Sequence, residues 1–174
     1  MKIQGSSKAG IAALMVVLSL SGCHKTAVAD EDPQERKPLP APFFEGLPLS
    51  GNLATARKAG FGACLDGTKG MRCRKEGVMV MGVGPLSAAV DLDAAPIEAP
   101  ARFDHVTLWH ATDQGAVLDL GERLKNADWQ SCLTPDEERY LHLPSPVRIA
   151  IDTNYWGIRR VVISAPPPAA KTYC

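Results

Sequence analysis

The chain has 174 residues, and its 19 lysines and arginines balance 19 aspartates and glutamates. So even a balance lacks the basic excess that marks a nucleic-acid binder. The length allows one sizeable core or two small ones.

Lys2 and Lys8 precede an almost wholly apolar run over residues 9–20. That run falls short of the roughly 20 residues a membrane-spanning helix needs. A basic start, a short apolar run and small residues after it are the parts of a secretory leader. The run ends at Leu20-Ser21-Gly22-Cys23. This tetrapeptide resembles the lipobox of bacterial lipoproteins. The resemblance implies that residues 1–22 are removed, that Cys23 is diacylated on sulfur, and that its new amino terminus is acylated. Two or more acyl chains give a stable anchor, each buried methylene contributing about 0.8 kcal/mol. In that family an Asp just after the Cys often retains the protein at the inner membrane, and His24-Lys25 stand there instead. The expected address is therefore the periplasmic face of the outer membrane, with membrane lipid as the first partner. No other segment is long and apolar enough to cross a bilayer as a helix.

Residues 23–49 read as a tether. Pro33, Pro38, Pro40, Pro42 and Pro48 accompany a charged run from Asp30 to Lys37, a composition that cannot bury enough apolar surface to fold.

Beyond it lies an internal similarity. TARKAGFGACL at 55–65 aligns with RLKNADWQSCL at 123–133, pairing Ala59 with Ala127, Phe61 with Trp129, Cys64 with Cys132 and Leu65 with Leu133. Each segment reads as a helix end, an aromatic residue, then a cysteine. Ser50 or Asn52 can cap the first helix and Gly60 or Gly62 can end it. The second, near 117–127, places Val117, Leu120 and Leu124 on one stripe. Strands are expected over 72–75, 78–83, 88–92 and 103–110, then over 139–143, 147–152 and 158–164. Asp136-Glu137-Glu138 reads as a helical start or a charged turn. Asn154-Tyr155-Trp156-Gly157 is a hairpin signal. The fold class expected is α+β: two tandem helix-then-antiparallel-sheet units, 50–111 and 112–174, sharing one sheet. In element order and cysteine placement this resembles the β-lactamase-inhibitor-protein-like fold.

With Cys23 acylated, Cys64, Cys73, Cys132 and Cys174 remain, an even number that reads as two disulfides in an oxidising compartment. The repeat favours Cys64–Cys73 and Cys132–Cys174, because Leu141 stands where the second unit would place a counterpart of Cys73. Their spacing does not suit zinc, and no metal or cofactor is expected.

Catalytic constellations are not apparent. His105 and His110 lie five apart on one strand and point to opposite faces. His24 abuts the anchor, and His142 lies on another strand. Asp91 and Asp93 share a strand face, a spacing compatible with a cell-wall hydrolase, although DLDAAP also reads as a strand running into a loop. No nucleophile elbow, zinc-binding helix or phosphate loop occurs. Binding features stand out more. Arg57, Lys58, Lys69, Arg72, Arg74 and Lys75 form a basic stretch. Tyr155 and Trp156, followed by Arg159 and Arg160, suggest an aromatic–cationic anchor at a hairpin tip. The sequence thus points to a non-enzymatic binding module for an envelope protein, or to an inhibitor or immunity protein of a periplasmic enzyme.

Overall fold

Strand periodicity governs this chain more than helix periodicity does. Leu86, Ala88, Val90 and Leu92 alternate with Ser87, Asp91 and Asp93, and the first set is buried. The same alternation buries Val106 and Leu108, Ile149 and Ile151, and Val161 and Ile163. A computed structural model of the chain describes residues 42–68, 70–93, 99–142, 145–153 and 157–165. These all belong to one unit, Leu39–Cys174. In chain order they form β1 (Phe43–Phe44), β2 (Leu47–Pro48), β3 (Gly51–Asn52), α1 (Leu53–Lys58), β4 (Ala63–Gly67), β5 (Gly70–Val80), β6 (Val83–Asp93), β7 (Arg102–Phe103) and β8 (His105–Trp109). After these come α2 (Gln114–Asn126), β9 (Gln130–Leu133), β10 (Glu137–Leu141), β11 (Arg148–Asp152) and β12 (Val161–Ser164).

Eight strands make one antiparallel sheet in the order β4-β5-β6-β8-β12-β11-β10-β9. β1 pairs with β2 and β3 with β7. The expected α+β class, two helix-then-sheet units, is corrected by this finding. The described residues are mostly strand, with two helices, one of them six residues long. Residues on both sides of the expected boundary at 111 enter the same sheet through the β8–β12 pairing. The helical stripes are short, whereas the alternating stretches are many, and the strands set the architecture.

Other boundaries move as well. The expected strand over 78–83 is cut by a two-residue hairpin at Met81-Gly82, both at positive φ, between Val80 and its partner Val83. That geometry matches the twist of the flanking strands. Glu137 and Glu138 open β10 rather than a helix or turn. The last residues of the expected tether are folded: Leu47 and Leu49 are fully buried, and the Phe44 ring meets Trp129 edge-on at 5.7 Å.

Both helices end in one way. The N–H of Gly60 bonds the carbonyl of Arg57, and that of Phe61 bonds Ala56. Asp128 bonds Lys125, and Trp129 bonds Leu124, in the same pattern. These are Schellman closures, with a residue in the left-handed region followed by an apolar residue that covers the helix end. Gly60 (φ 91°) adopts that region without strain, whereas Asp128 (φ 62°) does so with a side chain. At the other ends, the Asn52 side chain accepts from Thr55 N–H, and that of Asp113 from Gly115 and Ala116.

The core lies on one face of the sheet. There α2 buries Val117, Leu120, Gly121 and Leu124. Lys75, opposite the buried Ala88, donates to the carbonyl of Ala59 at the end of α1. Tyr140 reaches from β10 to Gly121, where an added Cβ would stand 2.7 Å from the phenol oxygen. Burial raises the Tyr140 phenol well above its ordinary pKa, and its hydrogen bond to Glu138 adds to this. Burial pulls Glu138 upward, but hydrogen bonds from Tyr140, Lys125 and Ser131 outweigh it and hold the carboxyl below its ordinary value. Lys125 also bridges Glu122 and Glu138, each at 3.2 Å, which ties the end of α2 to β10.

Candidate functional site: the open face of the sheet

Residues that alternate with the core point to the opposite face. The register carries them across the sheet in rows. Arg74, Ala89, Thr107, Val162, Ala150 and Arg139 stand side by side across six strands. Arg72 faces Asp91 in a neighbouring row, and His105, Ser164 and Arg148 continue it from β8 to β11. Small residues floor the middle of this face, and arginines stand at its sides.

Over β5, β6, β8 and β12 lies an open cavity of about 480 Å³, lined by Arg72, Arg74, Asp91, His105, Thr107, Trp109, Ile158, Arg160 and Val162. Its charges are unequally committed. Arg72 grips Asp91 through Nε and Nη2, both at 2.6 Å. This hydrogen-bonded pairing holds the Asp91 carboxyl below its ordinary value against the opposing effect of partial burial. His105 and Arg160 pull the same way more weakly. Across the face, Glu137 accepts from both Arg139 and Arg148. Arg74 lies over the Trp109 ring, 5.7 Å from its centroid, within cation–π reach. Among the described residues, neither Arg74 nor Arg160 has a carboxylate within ion-pair distance. Among the described residues, the cavity therefore holds two cations outside ion pairs, Asp91 reaching Arg160 only as a weaker charge interaction. Trp109, Val162 and the half-exposed Ile158 supply apolar surface beside them.

The basic stretch is divided by the fold. Arg57 and Lys58 occupy the last turn of α1, where they complement the helix dipole. Lys75 turns to the core side, and Lys69 lies outside the described residues. Arg72 and Arg74 reach the cavity together. Arg159 does not: it is buried, its backbone N–H bonds the Gln114 side chain, and its guanidinium donates to the carbonyl of Asp152. The neighbouring Arg160 lines the cavity instead. Tyr155, Trp156, Cys23 and Cys174 lie outside the described residues.

Cys64 and Cys73 are disulfide-bonded directly across β4 and β5, with Cα atoms 4.0 Å apart. Cys132 is disulfide-bonded as well, and its expected partner Cys174 lies outside the described residues. The residue opposite Cys132 is Arg139, two positions short of the expected Leu141.

Asp91 and Asp93 occupy one side of β6, but Asp91 is held by Arg72, and Asp93 stands exposed at the strand end. His105 meets Asp104 at 2.7 Å beside the cavity. His110 lies past the end of β8, where Nδ1 accepts from Thr112 and Asp113 ahead of α2. His142 stacks on Trp129 at 5.6 Å. No three His, Cys, Asp or Glu side chains among the described residues converge on a metal-sized site. The sequence reading singled out Arg160 but missed Trp109 and Thr107. Their signal is the second phase of β8, in which Thr107 and Trp109 alternate with the buried Val106 and Leu108.

No protein-family model, curated protein or solved structure matches the chain.

Proposed function

We propose that this protein is a non-enzymatic lipoprotein of the outer membrane, anchored through an acylated Cys23, that works as a periplasmic interaction module through the open face of its sheet. One observation carries the reading. Among the described residues, Arg74 and Arg160 stand outside ion pairs on a face where Arg72, Arg139 and Arg148 are paired, beside exposed apolar surface, over a floor of small residues. Arginine outside ion pairs next to tryptophan is the composition of interface hot spots. The Cys64–Cys73 disulfide supports an oxidising compartment, and Leu20-Ser21-Gly22-Cys23 supports the anchor.

The test places a photo-crosslinking amino acid at Val162, on the open face, and separately at Leu118, exposed on α2. Each full-length protein is irradiated in intact envelopes. A discrete protein adduct from position 162 and none from 118 is expected. Equal adducts from both, or none from 162, would refute the open-face reading. Labelled fatty acid should enter the wild-type chain and not a Cys23→Ala variant.

A further inference from the structure

We infer that the cavity on the open face receives an acidic loop of a protein partner, one side-chain carboxylate docking against Arg74 and Arg160 while an adjoining apolar residue packs on Trp109 and Ile158. This rests on the open-face reading and adds the chemistry of the occupant.

Charge is the first argument. Arg72 and Asp91 cancel within the cavity wall, so Arg74 and Arg160 leave a surplus of two positive charges among the lining residues. A membrane headgroup surface instead draws clusters of roughly four to eight Lys and Arg. The second argument is the kind of cation. Among the described residues, no lysine lines the cavity. Arginine presents a planar fork that fits a carboxylate in two parallel hydrogen bonds. The wall shows that fork occupied, because Arg72 holds Asp91 through Nε and Nη2 at equal distances. Arg74 is braced over Trp109, which lowers the entropy lost when it takes a ligand.

Shape is the third. The cavity opens onto a broad face rather than closing over a small molecule. Eight strands at about 4.8 Å spacing make that face roughly 34 Å wide, a width that suits a standard protein footprint. Ala89, Thr107 and Ala150 keep its middle low, so a loop can descend to the arginines. Ile158 is 50% exposed, and with Trp109 it offers the apolar contact that a bare anion would not use.

Calorimetry on the full-length lipidated protein in phosphatidylcholine nanodiscs tests this with four probes: the blocked peptide acetyl-Glu-Phe-Glu-amide, its Gln-Phe-Gln analogue, inorganic phosphate, and phosphatidylglycerol vesicles. The Glu peptide should bind in the millimolar range and the Gln analogue at least fivefold more weakly. Phosphate and vesicles should give no saturable signal in that range. Arg160→Gln should remove Glu-peptide binding with unchanged thermal unfolding. Arg160→Lys, which keeps the charge and loses the fork, should weaken it at least threefold. Equal binding of the two peptides, preference for phosphate or vesicles, or no binding of the Glu peptide would each overturn the inference. If the Glu peptide fails while Val162 still yields its envelope adduct, the inference falls and the open-face reading stands. If both fail, both fall.

Discussion

Gly121 is the position where local propensity and packing disagree most directly. A glycine inside an exposed helix should gain about 1 kcal/mol on conversion to alanine. Here the added Cβ would meet the Tyr140 phenol oxygen at 2.7 Å, the ring carbon that bears it at 3.5 Å, and the Ile151 Cδ1 at 3.4 Å. Tyr140 is 1% exposed and hydrogen-bonded to Glu138, so it has nowhere to retreat. Overpacking of this kind costs about 1–3 kcal/mol. A mid-range cost of about 2 kcal/mol less the propensity gain leaves Gly121→Ala about 1 kcal/mol less stable. In a Tyr140→Phe background the offending oxygen is gone, and the same substitution should stabilise by about 1 kcal/mol. The four proteins, unfolded in denaturant, form a double-mutant cycle with an expected coupling of about 2 kcal/mol. A stabilised Gly121→Ala single variant, or a coupling within about 0.5 kcal/mol of zero, would refute the argument.

Replacing Cys64 and Cys73 together with alanine should lower stability by about 2.5 kcal/mol, from the loop-closure entropy of a nine-residue separation. Denaturant midpoints with and without reductant check it: the wild type should shift on reduction through this bond, and the double variant should lose that part of the shift. Asp128→Gly relieves a side chain held at φ 62° and should stabilise by about 1 kcal/mol; an unchanged melting temperature would contradict this. Tyr140 has a raised pKa in the folded state, so its contribution is fully present below the ordinary tyrosine value of about 10. As pH rises past that value, the unfolded chain loses the phenol proton while the folded chain keeps it, and stability falls by up to about 1.4 kcal/mol per pH unit. Unfolding measured between pH 9 and 12 should show that extra slope in wild type and a shallower one in Tyr140→Phe.

Much of the local structure was legible because it depends on near neighbours. The cap at Asn52 and the helix stop at Gly60, each one of two candidates, the Cys64–Cys73 bridge and the strand over 147–152 all follow from residues near one another in the chain. The errors arose where the signal is weak or non-local. Met81-Gly82 turns a hairpin without an Asn-Gly or Asp-Gly pair, so 78–83 reads as one strand. Ala63–Gly67 carries little strand propensity of its own and is recruited by β5. Arg159 and Arg160 are indistinguishable as sequence, and the phase of β12 decides that the second faces the cavity. The cavity itself draws on β5, β6, β8 and β12, with Ile158 and Arg160 leading into β12, a juxtaposition that only sheet order creates.

That sheet order also separates two kinds of work onto two faces of the same strands. Arg74 alternates with the buried Cys73, Thr107 stands between Val106 and Leu108, and Arg160 and Val162 flank Val161. Each binding candidate is thus held in place by core residues one position away, yet contributes little core contact of its own. Substitutions at Arg74 or Arg160 should therefore alter recognition and leave unfolding nearly untouched, because surface replacements away from caps and buried pairs usually stay within about 0.5 kcal/mol. The same geometry seats these side chains on hydrogen-bonded strands before any partner arrives. A partner would meet arginines spaced by strand register, so less of the gross interaction energy is spent on ordering the site.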